Sequence, residues 1–116
     1  MVKFDILLEY FFWREDKNFF SSPDPKNGAI RKTFEMSALP RPGDLVELAN
    51  DDDLILEVKN SISFDLSRQE IEISFDVSGE VAVKAFLLSP GGWNTARHMS
   101  PGGEDFFLSK VAEAQK

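Results

Sequence analysis

Cysteine is absent from this 116-residue chain, which removes disulfides, thiolate catalysis and thiolate metal centres together. One histidine, His98, leaves no imidazole pair for a metal, and neither a Gly-x-Gly-x-x-Gly or Walker loop nor a Gly-x-Ser-x-Gly elbow occurs. No apolar run approaches a membrane span. The opening Met1-Val2-Lys3-Phe4-Asp5 alternates where a secretory leader would be continuously apolar, so a cytoplasmic location is expected. Positive charge is also scarce: 13 Lys and Arg face 20 Asp and Glu, for a net charge of −7. Residues 51–80 hold nine carboxylates and two bases and so carry that whole balance. Nucleic acid and anionic membranes, which need clustered Lys and Arg, are disfavoured as partners, and a basic protein partner is allowed.

What the chain does have is alternation. A length of 116 residues suits one domain that buries roughly 65–70% of its extended surface, enough for a core without staples. Residues 54–88 read as a central three-stranded meander. Leu54, Leu56, Val58, Asn60, Ile62 and Phe64 share one parity against Ile55, Glu57, Lys59, Ser61, Ser63 and Asp65. Ile71, Ile73, Phe75 and Val77 then alternate with Glu70, Glu72, Ser74 and Asp76, which gives one oily face and one acidic face. Residues 81–88 are apolar at both parities and read as a third strand covered on both sides.

The first strand is as clear. Val2, Phe4, Ile6, Leu8, Tyr10 and Phe12 share a face, and the opposite face turns from charged to aromatic at Phe11 and Trp13. Residues 14–28 break the pattern with charges, the Phe19-Phe20 pair, two prolines and Asn27-Gly28, whose residue types suit a type I′ turn. A second strand follows over 30–38. It ends at Leu39-Pro40-Arg41-Pro42-Gly43-Asp44, where Gly43-Asp44 turns the chain into Leu45-Val46-Glu47-Leu48. That phrase resembles a segment of small β-barrel proteins from bacteria and phages, and it brings no function with it. Past residue 88, Ser89-Pro90-Gly91-Gly92 recurs as Ser100-Pro101-Gly102-Gly103, each copy fit for a type II turn. Residues 104–115 read as a short helix with Phe107, Leu108, Val111 and Ala114 on its apolar stripe. The expected fold is mainly β: a single small antiparallel barrel or sandwich of about six strands with one short C-terminal helix.

Chemistry is thinner. Asp51-Asp52-Asp53 lacks the spaced oxygens and distal glutamate of a calcium loop and reads as a solvated turn, so neither a metal nor a cofactor is expected. No nucleophile accompanies His98, and no catalytic residue is assigned. The acidic strand residues Glu70, Glu72 and Asp76 are candidates for a basic partner, with Trp13, Phe19 and Phe20 as aromatic anchors. The leading expectation is a non-enzymatic protein-binding or accessory module, of inhibitor, immunity or phage-accessory type. Its own edge strands could also pair into a homo-oligomer. The alternative is a small-molecule or saccharide binder that uses Trp93, Trp13, Arg97 and His98 around a barrel mouth.

Overall fold

The computed structural model describes residues 1–12, 26–49, 51–59, 62–67, 69–88, 92–98 and 103–115. Seven strands and two helices appear in these segments: β1 (Val2–Phe12), β2 (Lys26–Met36), β3 (Leu45–Glu47), β4 (Ile55–Glu57), β5 (Ile62–Asp65), β6 (Glu70–Ser78), α1 (Gly79–Leu88), β7 (Asn94–His98) and α2 (Gly103–Ala114). The fold is mainly β. Five strands form one mixed sheet in the order β5-β6-β1-β2-β7, while β3 and β4 pair separately.

β1 is the axis of the sheet. Its even residues Phe4, Ile6, Leu8, Tyr10 and Phe12 are all buried, and Leu7 on the other parity is fully buried too, as a central strand requires. It runs antiparallel to β2, with Ile6 opposite Lys32, and parallel to β6, with Ile6 opposite Ile73. The pairing of β2 with β7 shifts register between Ala29 and Ile30. Asn27 and Gly28 are therefore ladder residues opposite Phe11 and Tyr10, not the tight turn expected of an Asn-Gly pair. Eleven consecutive cross-strand pairs outweigh the local turn preference of two residues.

Residues 81–88 are the main departure from the sequence expectation. They belong to α1, so the third strand of the meander is a helix. Gly79, Ala82, Val83 and Ala85 are its buried positions, at helical spacing. Ser78 Oγ accepts from the Val81 backbone N–H at 3.3 Å and Glu80 stands in the first turn, both favourable at a helix start. Gly79 has no substitute there, because a Cβ would collide with the Phe12 ring. The run 54–65 is also not one strand. A 3₁₀ turn at Asp52–Leu54 leads into β4, and the chain then crosses to β5. Burial still follows the alternation through the break, with Leu54 and Val58 inside and Ile55, Glu57 and Lys59 outside.

α1 and α2 pack against each other and on one face of the large sheet. Phe107 of α2 is the keystone. It is fully buried, stacks on Tyr10 with ring centroids 4.7 Å apart, and meets Phe86 of α1 edge-on at 5.5 Å. Burying such a ring stabilises by about 2–3 kcal/mol. The α2 stripe is completed by Phe106 and Val111, whereas Leu108 and Ala114 are exposed. These helices do the covering that a second sheet or barrel closure would have done. Among the described residues the sheet stays open, with β5 and β7 as its edges, and no closed barrel forms.

The smaller β3–β4 ribbon is held at its base by a type II turn. Asp44 N–H donates to the Arg41 carbonyl at 3.0 Å, with Pro42 and a left-handed Gly43 (φ 95°) at the centre. Gly43 N–H in turn donates to the Val58 carbonyl at 2.7 Å, and Val58 N–H to that of Asp44 at 2.9 Å. No helix among the described residues is long and apolar enough to cross a membrane. Trp13, Phe19, Phe20 and most of the two Ser-Pro-Gly-Gly copies lie outside the described residues.

Candidate protein-binding surface

The face of the large sheet opposite the helices is built from the odd residues of β1 and β2 and the even residues of β6. Register places Asp5 between Thr33 and Glu72, Leu7 between Arg31 and Ser74, and Glu9 between Ala29 and Asp76. β5 extends the rows, with Ser63 beside Glu72 and Asp65 beside Glu70. Glu57, on β4, belongs to the other sheet and takes no part in this face.

Three carboxylates of β6 share the face, but not one fate. Glu72 is half-buried, and Arg31 reaches across β1 to it at 2.9 Å while lying 3.6 Å from Asp5. The Thr33 hydroxyl donates to Asp5. This half of the face is an internal network that ties β2, β1 and β6 together. Glu70 and Asp76 are exposed, and neither has an ion-pair or hydrogen-bond partner for its carboxylate among the described residues. Two carboxylates on strand positions this far apart repel each other by well under about 1 kcal/mol in water, so the fold tolerates both.

Beyond Asp76 the face opens into a shallow depression of about 420 Å³, walled by Glu9, Phe11, Asn27, Asp76 and Ser78. The exposed Asp76 carboxylate at the rim of this depression suits a lysine or arginine side chain, whose stem packs while its head stays charged. On the far side of the face lies the β5 edge. Phe64, on the helix-bearing side of that edge, is 60% exposed, and Leu66, in the turn to β6, is 89% exposed. Gln69 in that turn adopts a left-handed φ of 55°.

The second acidic cluster is arranged differently. Asp51 caps the 3₁₀ turn, its side chain accepting from Asp53 N–H at 3.0 Å. Lys84 of α1 contacts Asp51 at 2.7 Å and Asp53 at 3.1 Å. The hydrogen bond from Lys84 holds the Asp51 carboxyl below the usual carboxylate range, and Asp51 and Asp53 together raise the Lys84 ammonium. The triple aspartate is thus a clasp between the 3₁₀ turn and α1.

The ligand candidates divide. Trp93 is 4% exposed and meets Phe34 edge-on at 6.3 Å, so its indole faces the core. Arg97 and His98 are ladder residues of β7 opposite Ala29 and Gly28. Tyr10 is another polar group that sequence reasoning could place inside but not describe. Its hydroxyl is buried with no hydrogen-bond partner among the described residues. Burial first, and the nearby Glu104 carboxylate second, push its pKa up to about 12. Phe64 keeps the core parity that alternation gives it and projects to the helix-bearing side of the sheet, yet it is largely exposed there. Its position on an edge strand beyond the reach of the helices was the missing information.

No family model, curated protein or solved structure matches the chain.

Proposed function

We propose that the protein is a non-enzymatic binding module for a basic protein, and that the acidic face of β5 and β6 is its contact surface. One observation carries this reading: Glu70 and Asp76 stand exposed, without partners among the described residues, on the face where Glu72 is committed to Arg31. Charges spent inside the molecule have little left to offer a partner, whereas these two keep their full field. The depression next to Asp76 adds an apolar wall at which a basic side chain gains packing as well as charge. The saccharide reading has weaker support, since Trp93 is turned into the core.

The test is a tagged pull-down from host lysate at low and high salt, run with the native chain and with Glu70→Lys combined with Asp76→Lys. Glu72 is left alone because its reversal would also break the Arg31 contact. A stoichiometric basic protein retained at low salt, released at high salt and lost with the double reversal is the expected result. Retention of the same protein by the reversed chain would sink the proposal.

A further inference from the structure

We infer that the free edge of β5 takes up an extended segment of that partner as an added strand, and that the segment alternates apolar with basic residues. This rests on the basic-partner reading above and specifies how the partner is held. β5 is the outermost strand of the sheet, and among the described residues no backbone hydrogen bond reaches its outer side. Unpaired edge N–H and C=O groups are a template for strand addition, which natural proteins usually blunt with charge or cover with another element.

Here the edge is blunted on one side only. Ile62 and Phe64 project to the helix-bearing face of the sheet, beside Ile73 and Ile71 in register. α1 packs on β1 and β6 and α2 on β2 and β7, so the helix layer is centred away from β5 and Phe64 stays largely exposed. Ser63 and Asp65 project to the opposite face, next to Glu72 and Glu70. A strand laid against β5 therefore meets apolar surface on one face and carboxylates on the other, and strand periodicity requires it to alternate in the same rhythm. Apolar residues would pack on Ile62 and Phe64, and lysines or arginines would lie on the side of Glu70, where Asp65 already accepts from the Ser67 backbone N–H and hydroxyl. A second copy of this chain is a poorer occupant, because it would bring Asp65 and Glu70 of two molecules together, each chain with a net charge of −7.

The probe is a fluorescently labelled synthetic peptide of alternating lysine and valine, read by polarisation against the full chain. Two further versions carry N-methyl groups on alternate backbone nitrogens, one set on each edge of the extended peptide. Strand addition uses only one edge, so one methylated peptide should bind at least about tenfold more weakly while the other binds like the parent. Phe64→Ser, an exposed site that leaves the core intact, should weaken the parent peptide by a comparable factor, and amide exchange over residues 62–65 should slow when it binds.

Equal binding of both methylated peptides overturns strand addition. If the Glu70→Lys and Asp76→Lys reversal still abolishes binding in that case, the acidic-face reading survives. Absence of binding by the parent peptide at low salt overturns the inference as well. A concentration-dependent dimer that Phe64→Ser abolishes would give the edge to a second copy and overturn it too.

Discussion

Two acidic regions of the same chain have opposite relations to the rest of the molecule. Asp51 and Asp53 close on Lys84, and their charge is used to fasten a 3₁₀ turn to α1. Glu70 and Asp76 lie on a flat sheet face with no base in reach among the described residues. In sequence the triple aspartate is the denser run of charge, yet it lacks the spacing of a metal loop and reads as a solvated turn. In the fold it is the cluster already satisfied. Density of charge along a chain says little about availability; what decides is whether a helix from elsewhere delivers a counter-charge.

The largest way to break this contrast acts at the root of α1. Gly79→Ala places a methyl against the Phe12 ring, so the helix must shift off the sheet and carry Lys84 away from its aspartates. A loss of roughly 3 kcal/mol is expected, measured by urea unfolding.

Tyr10 sharpens the contrast from another side, because among the described residues its hydroxyl lacks a partner as the Glu70 and Asp76 carboxylates do, but in the core. Tyr10→Phe should raise stability by about 1 kcal/mol at neutral pH, since a buried donor without an acceptor is a cost. The folded pKa lies above the ordinary value of 10.0, so the neutral phenol is favoured in the folded state. Stability tied to it is complete below pH 10.0 and is lost as pH rises toward about 12. The variant should lack that part of the alkaline loss in parallel unfolding curves.

Lys84→Met has a smaller effect. Asp51 is held below 3.8 and Lys84 above 10.5, so the clasp contributes between those values. Its contribution falls away as pH drops through the lowered Asp51 value or climbs through the raised Lys84 value. In the variant the Asp51 carboxyl should titrate higher by NMR than in the native chain, though the Asp53 N–H bond still holds it down, and the acid-side loss of stability should shrink. The smallest effect belongs to Glu70→Lys with Asp76→Lys: the melting midpoint should stay within the equivalent of about 0.5 kcal/mol of the native chain even as partner binding disappears. A large drop would mean that these carboxylates are structural after all.

Much of the sheet was legible in the sequence because it is local and periodic. β1, β6 and the α2 helix follow from spacing, and burial alternates through residues 54–59 even where the strand ends. α1 was misread because 81–88 is apolar at both parities, and a short apolar run does not reveal its period. The better clues were Ser78 as a cap, Glu80 in the first turn and the helix-favouring Ala82, Lys84, Ala85 and Leu87. Strand order was not legible, because nothing near Ile6 in sequence says that Ile73 will lie beside it. The surface was half legible for the same reason. The acidic row of β6 could be read from alternation, whereas the commitment of Glu72 to Arg31 and the exposure of Phe64 depend on which strands are neighbours.

That parallel pairing also sets a timetable for synthesis. β1 finds β2 soon after both leave the ribosome, but its other edge, from Asp5 to Phe11, stays unpaired until Glu72 to Ser78 have been made. At about 5–20 residues per second the wait is several seconds. Through that interval a strand with most of its residues apolar is an edge strand, and the nascent chain carries an aggregation-prone edge that the finished fold covers.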